Sequence, residues 1–182
     1  MEKVTGRVPP LFQLGYVPKS IEASVNFWTK SLRVGPFFAF RHVPYDAVTY
    51  RGEPTHVDSS VYIAYWGDVQ IELVEQHNDG PSVYREWPSK DYEGLHHLCY
   101  TVDDIDSAVD DAVAAGGRIE QRHFLTNGGI AYVDFGGGPG TLVEIFQPLP
   151  QAKALFEMMK AESSSWDGSE PIRAVAVNNL RR

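Results

Sequence analysis

Four polar side chains stand at places along this chain where metal chemistry would need them: Gln13 in QLGYV, Glu72 in VQIELVEQ, His97 in HHLCYTV and Glu144 in TLVEIFQP. An imidazole, two carboxylates and an amide oxygen make a suitable shell for a divalent cation. Two carboxylates buried with neither a cation nor a proton are costly, so a positive partner is implied if both enter one interior. His97 is preceded by a second histidine, His96. Neighbouring side chains on a strand point to opposite faces, so only one of the pair is expected to serve such a site.

Strands are needed to aim these groups. In QLGYV the apolar Leu14 and Tyr16 share a face, directed at the following segment SIEASVNFWTKSL, whose apolar residues 21, 25, 28 and 32 make one helical stripe. Gln13 therefore points the other way. In HHLCYTV the set Leu98, Tyr100 and Val102 packs on the next helix, DDIDSAVDDAVAAGG, which leaves His97 facing away from it. Ile71 and Leu73 put Glu72 on the opposite face of its strand, and Val143 and Ile145 do the same for Glu144. Further strands are expected at FFAFRHV, SSVYIAYW, RIEQRHF and IAYVDF, and a C-terminal amphipathic helix at QAKALFEMMKAE.

The order reads βαβββ twice. QLGYVPKSIEASV lies without a gap over HLCYTVDDIDSAV, an offset of 84 residues, and the closing strands align as IEL over VEI. The expected organisation is a first module over 9–80, a connector over 81–94 with one helical turn, a second module over 95–148, and a helix and polar tail over 149–182. The fold class is α+β: two βαβββ modules, each sending two polar side chains, Gln13 and Glu72 from the first and His97 and Glu144 from the second, to the concave face of its sheet.

These repeated stretches resemble the vicinal oxygen chelate superfamily, the group that holds glyoxalase I, methylmalonyl-CoA epimerase, extradiol dioxygenases and bleomycin-resistance proteins. The resemblance spans residues 11 to 148 and is strongest toward the glyoxalase- and epimerase-like members. It implies that the two modules form a half-open barrel around a single divalent ion (Zn, Ni, Co, Mn or Fe) held by Gln13, Glu72, His97 and Glu144. It also implies an isomerase or lyase that steadies an enolate of a small oxygen-rich substrate. The metal would acidify the hydrogen next to a carbonyl, and Glu144 and Glu72 would move the proton. A ring-cleaving dioxygenase would want two histidines and one carboxylate, and Gln13 in place of a first histidine argues against it. A non-catalytic drug-binding member would not need four metal-competent side chains. The resemblance further implies a homodimer.

The totals agree with such a protein. With a formal charge of −8, neither a nucleic acid nor an anionic membrane is an expected partner. One cysteine excludes an internal disulfide, and the N-terminal MEKVTGRVPP lacks the pattern of a signal peptide, so a cytoplasmic location is expected. The stretch FGGGPG at 135–140 lacks the lysine and helix of a phosphate loop and reads as a hairpin turn. Asp103, Asp104 and Asp106 read as helix capping. Surface roles are expected for His42, His56, His77 and His123.

Overall fold

Period-two alternation builds one face of the sheet onto helices, as the sequence implies. In the computed structural model, which describes residues 9–90 and 92–176, Leu14, Tyr16, Ile71 and Leu73 pack with Val25 and Trp28 of the first helical segment. Tyr100, Val102, Val143 and Ile145 pack with Ile105 and Val109 of its counterpart. The first module comprises β1 (Gln13–Val17), α1 (Ile21–Asn26), β2 (Phe37–Phe40), β3 (Ala47–Tyr50), β4 (Glu53–Thr55), β5 (Ser59–Trp66) and β6 (Val69–Gln76). The connector carries the single turn α2 (Val83–Glu86). The second module comprises β7 (Gly94–Thr101), α3 (Ile105–Ala114), β8 (Arg118–Leu125), β9 (Gly128–Asp134) and β10 (Leu142–Gln147), and α4 (Ala152–Ser164) and β11 (Ile172–Val175) follow. Asp104 caps α3 by accepting from the backbone N–H groups of Asp106 and Ser107. The FGGGPG stretch links the antiparallel pair β9 and β10.

All the strands among the described residues belong to one mixed sheet, in the order β11-β2-β5-β6-β1-β7-β10-β9-β8-β3-β4. The two modules join at β1 and β7, which run antiparallel, and each of these is flanked by the parallel last strand of its own module. The pairing obeys the repeat. Gln13 pairs with Cys99, Leu14 with Leu98 and Gly15 with His97, so an offset of 84 maps this set of pairs onto itself. Gly15 lies opposite Glu72 just as Cys99 lies opposite Glu144. The sheet curls, since Phe40 of β2 and Leu125 of β8, from opposite wings, line one cavity. It is not closed into a barrel.

Three features depart from the expected elements. Residues 41–58 leave β2 as an excursion whose hairpin β3–β4 pairs with β8 of the other module. The strand expected at FFAFRHV accordingly ends at Phe40. The expected helix over 20–32 is α-helical only to Asn26 and then widens into a π-helical turn over Phe27–Ser31. The polar tail forms β11, which pairs in parallel with β2. Ahead of it, α4 lies on the inner face of the first module, where Met159, Leu155 and Phe156 pack with Phe38, Phe40 and Ile63. The first module's sheet is thus covered on both faces. Among the described residues, no helix is long and apolar enough to cross a membrane.

Candidate metal centre

Glu72 on β6, His97 on β7 and Glu144 on β10 converge at the middle of the inner face. His97 Nε2 lies 2.8 Å from Glu144 Oε2 and 3.2 Å from Glu72 Oε2, and the side chains are 0, 4 and 11 % exposed for His97, Glu144 and Glu72. Gln13 lines the same cavity, but its amide nitrogen donates to Gln70 Oε1 at 3.1 Å, and Gln70 donates in turn to Tyr65 Oη at 2.7 Å. The structure therefore brings three of the four expected groups to one point and places the fourth beside them, with its amide oxygen not used in that bond.

Gly15 makes room for this arrangement. It pairs with His97 across the strands, and a β-carbon built on it would lie 1.9 Å from His97 Cε1 and Nε2. The imidazole therefore occupies the space over this glycine. Cys99, its repeat equivalent, is buried on the same face. Burial raises its thiol well above the ordinary value, and the neighbouring carboxylates add to the effect.

The alternation rule fails at His96. Gly15 pairs with His97 but Tyr16 pairs with Leu95, so His96 is the extra residue of a β-bulge. A bulge opposes two residues to one and puts both on the same side. His96 consequently joins its neighbour on the inner side, fully buried against the rings of Tyr84, Trp87 and Tyr132. Its Nε2 meets the Val83 carbonyl at 3.0 Å and its Nδ1 meets His97 Nδ1 at 3.1 Å. A carbonyl only accepts, so His96 carries its proton on Nε2 and accepts at Nδ1 from His97. That fixes His97 Nε2 as the atom aimed at both carboxylates, the orientation metal-binding histidines receive from their outer partners. The expectation that His96 serves elsewhere is corrected on this point.

The electrostatics follow from burial. Desolvation, with the charge of His97 adding, pushes the His96 imidazole down to about 3, so it stays neutral. Burial also works against a charge on His97, but Glu144 and Glu72 outweigh it and hold that imidazole up at about 9. Burial raises the Glu72 carboxyl, opposed by His97 and reinforced by Glu144.

The residues fit a divalent cation. Elsewhere a fully buried carboxylate, Glu120, is matched by the guanidinium groups of Arg51 and Arg118. Among the described residues, Glu72 and Glu144 share only one imidazole. His97 Nε2 and Glu144 Oε2 face each other yet are buried without a properly aligned hydrogen bond among the described residues, as is Glu120 Oε1, but Glu120 has two cations to itself. One ligand atom from each of Glu72, His97 and Glu144 lies within 4.8 Å of the others.

Of the remaining histidines, His123 is not on the surface. It is fully buried beside Tyr45 and takes a hydrogen bond with Gln121, and burial pushes its imidazole down to about 3. Sequence reading also missed Gly15. The signal available for it was a residue with no side chain in the strand that carries Gln13.

Four outcomes are expected of this candidate centre. Gly15→Ala drives a β-carbon into the imidazole, so divalent-metal affinity measured by calorimetry should fall by at least about tenfold to a hundredfold, with a stability cost of about 1–3 kcal/mol. His96→Ala removes the group that orients His97 and should weaken the metal by about tenfold to a hundredfold in the same assay. A proton on His97 must leave before metal binds. Affinity should therefore rise by about tenfold per pH unit up to about pH 9, with about one proton released per ion, as buffers of different ionisation heat will register. In metal-free protein the same proton contributes stability that is complete below pH 6.5 and is lost as pH rises through about 9.

Comparison with known proteins bears on the whole arrangement. Residues 12–133 match the family model described as the Glyoxalase/Bleomycin resistance protein/Dioxygenase superfamily. No curated protein matches the chain. Among solved structures, a hypothetical protein, BH1468, from Bacillus halodurans C-125 superposes with a TM-score of 0.53 at 17% identity, covering 80% of this chain and 98% of its own. Methylmalonyl-CoA epimerase from Mycobacterium tuberculosis superposes with a TM-score of 0.50 at 17% identity, covering 79% of this chain and 91% of its own. At such identity the likeness is one of fold. The family match spans two thirds of the sequence, and the chain belongs to the glyoxalase/bleomycin resistance/dioxygenase superfamily.

Proposed function

We propose that this chain is a divalent-metal-dependent enzyme of the glyoxalase and epimerase type, which moves a proton at the carbon next to a carbonyl of a small substrate. One observation carries the reading: two buried carboxylates, one from each module, flank a single oriented imidazole at the floor of a cavity. The ion would be held by Glu72, His97 and Glu144, with the Gln13 amide oxygen beside them. When bound, it supplies the Lewis acidity that makes a neighbouring C–H acidic. Glu72 and Glu144 occupy repeat-related positions on either side of the β1–β7 seam. One carboxylate can accept the α-proton while the other returns a proton from the opposite side. His97 keeps its Nε2 toward them because Nδ1 is engaged by His96.

The cavity supports a small substrate with an apolar part. Its volume is about 110 Å³, and Phe40, Val61, Ile63, Leu125 and Phe156 form much of its wall, with α4 closing one side. Such walls exclude water from a proton-transfer site. The solved epimerase named above fits the same class of reaction. Against a ring-cleaving dioxygenase stands the count of imidazoles: His96, the nearest second one, is taken up by Val83 and His97.

The test is turnover of candidate 2-oxoaldehyde adducts and acyl thioesters in deuterium oxide, followed by proton NMR. Metal-loaded protein should place solvent deuterium on the α-carbon. Glu144→Gln should keep its metal while exchange slows by about a hundredfold or more. Metal-dependent oxygen uptake on a catechol, with no exchange on any carbonyl substrate, would refute the reading.

A further inference from the structure

Away from the inner face, three side chains of the metal-ligating kind meet at one end of the first module. His42 follows β2, Asp58 precedes β5 and His77 follows β6. One ligand atom from each lies within 4.8 Å of the others. His42 Nδ1 is 2.7 Å from Asp58 Oδ1, and the two imidazole rings stand 4.7 Å apart between centroids. A surface ion pair would account for His42 and Asp58, and pairs of that kind contribute little. It does not include the second imidazole, set beside the first.

The cluster is held in place from beneath. The backbone N–H of His77 donates to the Asp58 carbonyl at 2.7 Å, and that of His42 donates to Ser60 Oγ at 3.2 Å. The same hydroxyl lies 2.7 Å from His77 Nε2, and Asn78 Oδ1 accepts from the Asp58 N–H at 2.9 Å. Ser60 thus ties both histidines to one strand, the kind of outer partner that orients ligands before an ion arrives. His42 holds a left-handed backbone, φ 51°, which non-glycine residues seldom adopt.

We propose that His42, Asp58 and His77 form a second metal site that takes a first-row divalent transition ion such as Zn²⁺, Ni²⁺ or Cu²⁺. Two imidazoles and a carboxylate suit these ions, and the solvent-facing position leaves the remaining coordination to water. The site also has a structural consequence. His42 and Asp58 sit at the two ends of the 41–58 excursion, which carries β3–β4 to β8 and brings Val43 and Tyr45 to the cavity wall. An ion there cross-links the root of that excursion.

The experiment is zinc titration of the untagged full chain after chelation, read by calorimetry and by elemental analysis of desalted protein. The wild type should retain about two zinc ions per chain, and His77→Ala and Asp58→Asn should each retain about one. His97→Ala should also retain about one, and the His77→Ala/His97→Ala double variant none. Circular dichroism of each variant checks that it is folded. Zinc should also slow proteolysis within 41–58 in the wild type and not in His77→Ala. The proposal falls if folded His77→Ala and Asp58→Asn bind as much zinc as the wild type, or if the wild type holds a single ion that His97→Ala abolishes.

Discussion

Two acids sharing one base, largely withdrawn from water, is the condition to which the middle of this sheet is fitted. Desolvated carboxylates are costly unless something positive answers them, and here the answer is incomplete: Glu72 and Glu144 both turn to His97 Nε2. The neighbours keep that point polar and mostly buried. Gly15 withholds a side chain, His96 stays neutral and takes the far nitrogen of His97, and the ring of Tyr132 stands 5.3 Å from that imidazole. Gln13, Gln70 and Tyr65 form a hydrogen-bonded row along the adjoining strands. Each of these choices reduces local packing or hydrogen-bonding freedom in order to keep one nitrogen and two oxygens free to face one another.

The internal repeat explains why the arrangement has two carboxylates and only one imidazole. The β1–β7 pairing relates Gly15 to Cys99 and Gln13 to His97, and the closing strands relate Glu72 to Glu144. The acids are alike in both halves. The first-strand positions have diverged, with an amide and a bare backbone on one side, an imidazole and a thiol on the other. Symmetry therefore supplies a balanced pair of carboxylates, and the departure from symmetry chooses where the nitrogen stands.

Much of this was legible in the sequence. Alternation in QLGYV, VQIELVEQ and TLVEIFQP placed Leu14, Ile71 and Ile145 toward the helices and Gln13, Glu72 and Glu144 on the other side, because a half-buried strand writes its two faces into residue type. The position of His97 was legible for the same reason, but that of His96 was not. A bulge arises from how two distant strands pair, and neither strand alone carries the information. The hairpin over 47–55 and the strand at 172–175 were missed for a related reason. EPT and IRAV are short and exposed or half-buried, so they show little of the burial that marks an inner strand, and AVTY, although it buries Val48 and Tyr50, is only four residues long. The buried His123 sits in RIEQRHF, a segment whose charges suggest solvent. Its burial depends on Gln121 being present to hydrogen-bond it.

The two late additions to the sheet, the β3–β4 hairpin at one margin and β11 at the other, have a consequence for how copies of this molecule meet. Without them, β2 and β8 would offer rows of unpaired peptide groups, the usual template for runaway strand addition and aggregation. In their place the outermost strands are three and four residues long, and one of them carries Pro54, which has no N–H to give. A chain finished in this way discourages polymers that grow margin to margin. Any stable contact between copies is steered toward side chains on the faces of the molecule, where shape and not backbone decides the partner.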